Sequence, residues 1–343
     1  MKKTVLIALL FALATISIFA GGNAEETREL ASDSLFPKMT LQLAHVNPTT
    51  DKDQYHKFAT LFAEKIYAAT NGAITVEVYG NTQLGGEREA LEGMQIGTID
   101  MGVNSNFQIS AINPPSNMIE LPFLFKDRET VFKFLDSDIN EEISNHLYET
   151  KGIKILVFGE GGFRYVLNNV RPIRTLEDFK GIKIRLGETP IYLDTFNALG
   201  ANATGISFSE TFTAVQQGTV DGMELPVITA STGGYDEIHK YISKTDHFFN
   251  ALALTISRQV WDSFNDEQQK IFKEVAIETS IEQRKFAANI ENELLNEMIE
   301  DGIIYNEDTD KESFREAVKP VYDKYRSLIG VDLFNRSMAL IND

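Results

Sequence analysis

The chain has 343 residues, 43% of them hydrophobic and 24% charged, the make-up of a well-packed protein long enough for two ordinary domains, with no compositional case for long disorder. Acidic residues outnumber basic ones 50 to 32, and a body of net charge −18 repels nucleic acid and anionic lipid headgroups. With no cysteine in the sequence, disulfides, thiolate metal sites, cysteine nucleophiles and a lipid-modified cysteine are all excluded.

Lys2 and Lys3 precede an almost continuous apolar run from Val5 to Phe19, and small residues follow at Ala20, Gly21, Gly22 and Ala24. This layout predicts a cleaved secretory signal over 1–24, because an apolar run of about 16 residues is short for a bilayer span. Residues 25–36 are polar and acidic without a period and read as a flexible leader. Alternation predicts strands over 41–46, 74–79 and 98–103. Tyr55, Phe58, Phe62 and Ile66 recur at helical spacing from about Asp51 to the Asn71-Gly72 stop, and Glu87 to Ile96 reads as a second helix. The rhythm restarts after Gly152, with strands expected over 153–158, 163–168 and 181–186 and helices over 190–199 and 209–217. Strand–helix alternation of this kind signals a largely parallel sheet covered by helices. Asn265 to Gln268 forms a capping-box pattern that opens a helix without Pro or Gly as far as Asp301. At 1.5 Å per residue its roughly 36 residues span about 54 Å, more than the width of one small domain, which suits a strut across two lobes.

The chemistry of an enzyme is hard to find. His45, His56, His146, His239 and His247 have no ligand spacing on one helix face, so no metal site is expected. There is no nucleophile elbow and no phosphate-binding loop, and Gly159-Glu160-Gly161-Gly162 lacks the spacing of a dinucleotide site and reads as a turn. No cofactor is expected.

Seven stretches together resemble the substrate-binding subunits of TRAP transporters, the dicarboxylate-binding-protein family. They are Gln83 to Glu89, Gly97 to Met101, Leu121 to Phe125, Gly181 to Arg185, Ala198 to Ala201, Phe208 to Glu210 and Val220 to Glu224, and they cover about residues 40–335 in the family's order. The resemblance implies an α/β, two-lobed periplasmic-binding-protein fold with a long helix spanning both lobes. Lobe one would hold 37–162 and 251–290, and lobe two 163–250 and 291–343. It also implies a receptor in the periplasm, not a lipoprotein, that closes on a small carboxylate-bearing organic acid and hands it to membrane subunits of the transporter. C4-dicarboxylate, sugar acid and keto acid all remain open as ligands. A sensory co-receptor on the same fold is an alternative, and a secreted enzyme acting on acids is a third without a motif.

Carried over residue by residue, Arg185 is the family's carboxylate clamp, at the carboxyl end of its strand where ligands of open α/β sheets sit. Its planar fork matches a carboxylate with two parallel hydrogen bonds. Arg164 matches a second arginine that reaches the same carboxylate, and Phe208 matches an aromatic that packs on the ligand's carbon skeleton. Ser105 and Asn106 follow the third strand where the family places ligand-facing polar groups, with a cap or turn role equally open. His45, ending the first strand, and Glu188, beyond the clamp, are further cleft candidates. One position departs from the pattern: many relatives place an asparagine before the proline where this chain has Leu225-Pro226, which implies a drier wall.

Overall fold

The computed structural model describes residues 35–343, so the expected signal over 1–24 and nearly all of the expected leader lie outside the described residues. Of the leader's last residues, Phe36 is buried, its ring 5.7 Å from Phe264 and 5.8 Å from Phe272. An aromatic side chain placed after a polar run has found an apolar slot, and packing begins there rather than at 37.

The strands are β1 (Met39–Ala44), β2 (Ile74–Tyr79), β3 (Met101–Ser105), β4 (Ile153–Asn168), β5 (Lys183–Leu186), β6 (Asn202–Gly205), β7 (Gly222–Pro226), β8 (Tyr241–Ser243), β9 (Phe249–Ser257) and β10 (Ile304–Asn306). Helix Gln54–Ala69 joins β1 to β2, burying Phe58, Phe62 and Ile66, and its N-cap Asp53 accepts the backbone N–H groups of Tyr55 and His56. Helix Glu87–Ile96 joins β2 to β3 and ends at Gly97, whose φ of 77° lets Thr98 N–H return to Gly93 O. That return turn occupies Thr98, so the third strand starts at Met101 rather than at 98.

Strand order is β2-β1-β3-β9-β4-β7-β5-β6, with β8 on β4 and β10 on β8. Pairing is parallel at the flanks, among β1, β2 and β3 and among β5, β6 and β7. It is antiparallel through the centre, where β9 pairs β3 and β4, and β4 pairs β7 and β8. The expected largely parallel sheet is therefore found only in the outer parts. The centre differs because β4 is one continuous strand of 16 residues that serves both halves: Ile153 to Phe163 pairs β9, and Arg164 to Asn168 pairs β7.

The glycine run expected as a turn lies inside β4. Its register slips between Glu160 and Phe163, and Gly162 takes a φ of 95°, so the strand bulges and continues instead of reversing.

The long helix runs from Asp266 to Glu300, 35 residues, opened by the expected capping box of Asn265 and Gln268. Phe272, Val275 and Ala276 of its first half pack in the core of β1, β2 and β3. Ala287, Leu294 and Met298 of its second half pack in the core of β7 and the segment after it. One helix thus spans both halves of an α/β, two-lobed fold. After β10, the C-terminal helices (Lys311–Ala317, Lys319–Ile329 and Val331–Asn342) bring Phe314 within 6.1 Å of the Phe123 ring and 5.4 Å of the Phe179 ring.

Candidate functional site

A cavity of about 500 Å³ opens beyond the carboxyl ends of β1, β3, β5 and β7. Asn47 and Tyr55 reach it from the segment after β1, Phe107 from that after β3, Glu188 from that after β5, and Leu225 and Thr229 from β7 and the segment after it. Four strand ends converge because parallel flanks on both sides of the antiparallel centre point their carboxyl ends to one place, the usual ligand crevice of open α/β sheets.

Arg185, in β5 between Ile184 and Leu186, is only 3% exposed and lines this cavity. Its Nε and Nη2 donate to the carbonyl of Ile206 at 2.9 and 2.7 Å, which fixes the fork without neutralising it. Among the described residues it has no ion-pair partner. Burial, helped by the charge of Arg164, lowers its pKa to about 10 against the upward pull of Glu224. It stays protonated at neutral pH as a desolvated cation in a cavity. The ring of Phe208, also lining the cavity, lies 5.9 Å from its guanidinium.

Arg164 of β4 also lines the cavity, but its charge has a partner. Nε and Nη2 donate to the two carboxylate oxygens of Glu224, and Nη2 also reaches the Glu224 carbonyl at 3.0 Å. Phe107 and Tyr192 each present a ring 5.5 Å from its guanidinium. Burial works against the charge on Arg164, and the Glu224 carboxylate outweighs it, holding the pKa above the ordinary arginine range. Burial likewise opposes ionisation of Glu224, but Arg164 and His247, whose Nε2 lies 3.2 Å from Oε2, keep its pKa low.

Glu188 and Leu225 line the cavity, Glu188 at the exposed rim and Leu225 buried. Three other candidates do not line it. Ser105 gives its backbone N–H and its hydroxyl to the Glu87 carboxylate, both at 2.6 Å. The Nδ2 of Asn106 donates to Glu120 at 2.6 Å and to the Ser116 carbonyl at 3.1 Å. His45 faces His56, with Nε2 and Nδ1 3.2 Å apart, and burial, then His56, lowers its pKa to about 3. These groups are buried and bonded to their neighbours, although His45 Nδ1 and Asn106 Oδ1 have no hydrogen-bond partner among the described residues. The sequence reading passed over Asn47, Tyr55, Phe107, Thr229 and Asn250. For the first three a signal existed, since each follows the end of a flank strand. Thr229 and Asn250 come from a short helix and the uniformly buried β9, which carry no such mark.

The family model of the bacterial extracellular solute-binding proteins, family 7, matches residues 43–328. A 2,3-diketo-L-gulonate-binding periplasmic protein of Escherichia coli is 29% identical over 305 residues, 89% of this chain and 90% of that one. Among solved structures, a TRAP periplasmic solute-binding protein from Polaromonas bound to D-erythronate has a TM-score of 0.84 at 30% identity, covering 88% of this chain and 98% of that one. Another from Bordetella, with density assigned to pantoate, has a TM-score of 0.83 at 33% identity over 88% and 98%. The match spans the β1 flank, the central strands, the arginine-bearing cavity and most of the long C-terminal helix array, and the chain belongs to the bacterial extracellular solute-binding proteins of family 7.

Proposed function

We propose that the chain is the extracytoplasmic receptor of a TRAP transporter, capturing a small organic acid by its carboxylate and delivering it to the membrane subunits without altering it. The observation that carries this reading is Arg185, a buried guanidinium whose fork is held by Ile206 and which has no ion-pair partner among the described residues, facing a cavity of about 500 Å³. A ligand carboxylate would complete it, with Arg164 adding hydrogen bonds from Nη1 and Phe208 packing on the carbon chain. The acids bound by the relatives (diketogulonate, erythronate and pantoate) support the same ligand class.

In this reading the lobes are 37–162 with 251–290 and 163–250 with 291–343. The change of β4's partner from β9 to β7 at Phe163 and Arg164 supports the first boundary. The C-terminal helices touch Phe123 as well as Phe179, so they steady both lobes. Hinge closure follows when the ligand binds the closed state better than the open one. Export by a cleaved signal over 1–24, with no cysteine to carry a lipid, leaves the receptor free in the periplasm.

The test is a thermal-shift screen of organic acids followed by calorimetry on Arg185→Lys. A ligand at 100 times its Kd adds about 2.7 kcal/mol of stability. In Arg185→Lys a point charge replaces the fork, so affinity should fall by about 30-fold or more while the ligand-free melting temperature changes little. Equal affinity in the two proteins would remove the basis of the reading.

A further inference from the structure

Beside the binding cavity, a short segment from each proposed lobe meets the other through hydrogen bonds. Asn47, Asp53 and Gln54, leading into helix Gln54–Ala69, belong to lobe one, and Thr229 and Thr232 of the helix Val227–Thr232 belong to lobe two. Asn47 and Thr229 line the cavity of about 500 Å³. Thr232, with Thr49, Asn81 and Leu294, lines a second cleft of about 440 Å³, so the contact has open space on two sides.

Asp53 sits at the middle of this contact, fully buried. Its Oδ1 accepts the backbone N–H groups of Tyr55 and His56 at 2.9 and 3.1 Å. Its Oδ2 accepts Asn47 Nδ2 at 2.8 Å and, from the other lobe, the Thr232 hydroxyl at 2.9 Å. All four donors are neutral, and a buried carboxylate held only by neutral donors depends on each of them. Burial pushes the Asp53 carboxyl up to about 6 against these bonds.

The Thr232 hydroxyl has one proton and two acceptors within reach, Asp53 Oδ2 across the contact and the Ile228 carbonyl of its own helix, each at 2.9 Å. With the lobes together the carboxylate is the stronger acceptor, because a charge-assisted bond outweighs a neutral one. With the lobes apart the hydroxyl falls back on Ile228, the bond a helical threonine makes to the carbonyl four residues before it. The donor is satisfied in both positions, so moving it costs little. Next to it, Thr229 Oγ1 accepts from Gln54 Nε2 at 2.7 Å and from Asn47 Nδ2 at 3.3 Å, which ties the same two segments a second time.

We infer that Thr232 is a positioning residue for closure: its hydroxyl passes from Ile228 to Asp53 as the lobes meet, and that bond, with the one from Gln54 to Thr229, latches the receptor shut and sets how long a captured acid stays. This rests on the reading of the chain as a two-lobed receptor, and it goes further by naming the contact that holds the lobes together.

Stopped-flow kinetics on the mature protein test the latch, with D-erythronate, pantoate and D-glucuronate as probes and Thr232→Val and Thr232→Ser as variants. Valine keeps the shape of the side chain and loses the hydroxyl. In the open form water takes that hydroxyl's place at Asp53, so the loss falls on the closed form. For the tightest-binding probe, Thr232→Val should therefore dissociate about tenfold faster or more, with association within about twofold of the parent and the ligand-free melting temperature little changed. Thr232→Ser keeps the donor and should restore the parent's dissociation rate. A valine variant that releases the probe as slowly as the parent, whatever its melting temperature, overturns the latch and leaves the receptor reading standing. A serine variant as fast as the valine one does the same, since the hydroxyl would then not be what matters. If none of the three probes binds the parent, the receptor reading falls and takes the latch with it.

Discussion

Arg164 and Arg185 lie on strands flanking β7, and the same residue, Glu224 of β7, influences both. Glu224 is fully buried and holds Arg164 directly, with His247 behind it and the Thr245 hydroxyl 2.8 Å from that ring's other nitrogen, Nδ1. Removing the acid leaves a buried guanidinium with no counter-ion, whereas removing an exposed ion pair is nearly neutral. Glu224→Ala should therefore lower unfolding free energy by about 3–5 kcal/mol in urea denaturation. By contrast, Lys180→Ala, which removes an exposed partner of Glu177, should stay within about 0.5 kcal/mol of the parent. Equal effects would mean that the Arg164–Glu224 pair is not a buried structural ion pair.

Glu120 makes a second residue-scale test. Burial pushes its carboxyl up to about 7, against the hydrogen bonds from Asn106 and Tyr192. Since the folded pKa is raised above the unfolded one, this group's stabilising contribution is fully present below the unfolded value and is lost as pH rises through about 7. Glu120→Gln lacks that loss. Its stability relative to the parent should rise between pH 5 and pH 8, by at most on the order of 3 kcal/mol in chemical denaturation. The buried histidines titrate in both proteins and cancel in the comparison. A difference that stays flat with pH would show that Glu120 titrates normally.

At the scale of elements, β4 shows why the glycine run is there. A Cβ on Gly159 would lie 2.6 Å from a ring carbon of Phe58 and 2.6 Å from Gln283 Oε1, where helix Gln54–Ala69 and the long helix both press on the strand. Gln283 in turn receives the Glu160 N–H at 2.8 Å and donates to its carbonyl at 2.7 Å. Gly159→Ala overpacks that crossing and should destabilise the protein by about 1–3 kcal/mol without touching the cavity, so unfolding shifts while ligand affinity at 25 °C holds. An unperturbed melting curve would mean the two helices have room to move aside.

Sequence patterns spoke clearly where one face is wet. Helix Gln54–Ala69 was legible from Tyr55, Phe58, Phe62 and Ile66 at helical spacing and from the Asn71-Gly72 stop, and the long helix from its capping box. They were silent where both faces are dry. β9 is buried at every residue, so Phe249 to Ser257 has no alternation to read. In β4, Gly159 serves the close approach of two helices and Gly161 that of Asn250 on β9, while Gly162 takes the positive φ of the bulge; these demands come from distant segments, and local pattern reads the same glycines as a turn. The cavity divides in the same way: an arginine in an alternating strand stands out, whereas Thr229 and Asn250 enter it only through the packing of distant segments.

At the scale of the whole molecule, the ligand has to approach against the protein's field. A chain of net charge −18 repels an anion over a distance set by the Debye length, about 10 Å at 0.1 M salt. On the proposed reading the attraction that holds the ligand is of another kind, a short hydrogen-bonded contact at the desolvated Arg185 guanidinium that bulk ions do not reach. Raising salt therefore screens the repulsion felt on approach and leaves the bound contact nearly untouched. In stopped-flow experiments with a monocarboxylate ligand, the association rate should rise by about twofold between 20 and 200 mM NaCl, with the dissociation rate changing less. Most receptors for charged ligands whose surface complements the guest show the reverse, a rate that falls with salt. A falling rate here would mean that the arginines lining the cavity outweigh the acidic body, and that the ligand is steered in rather than merely tolerated.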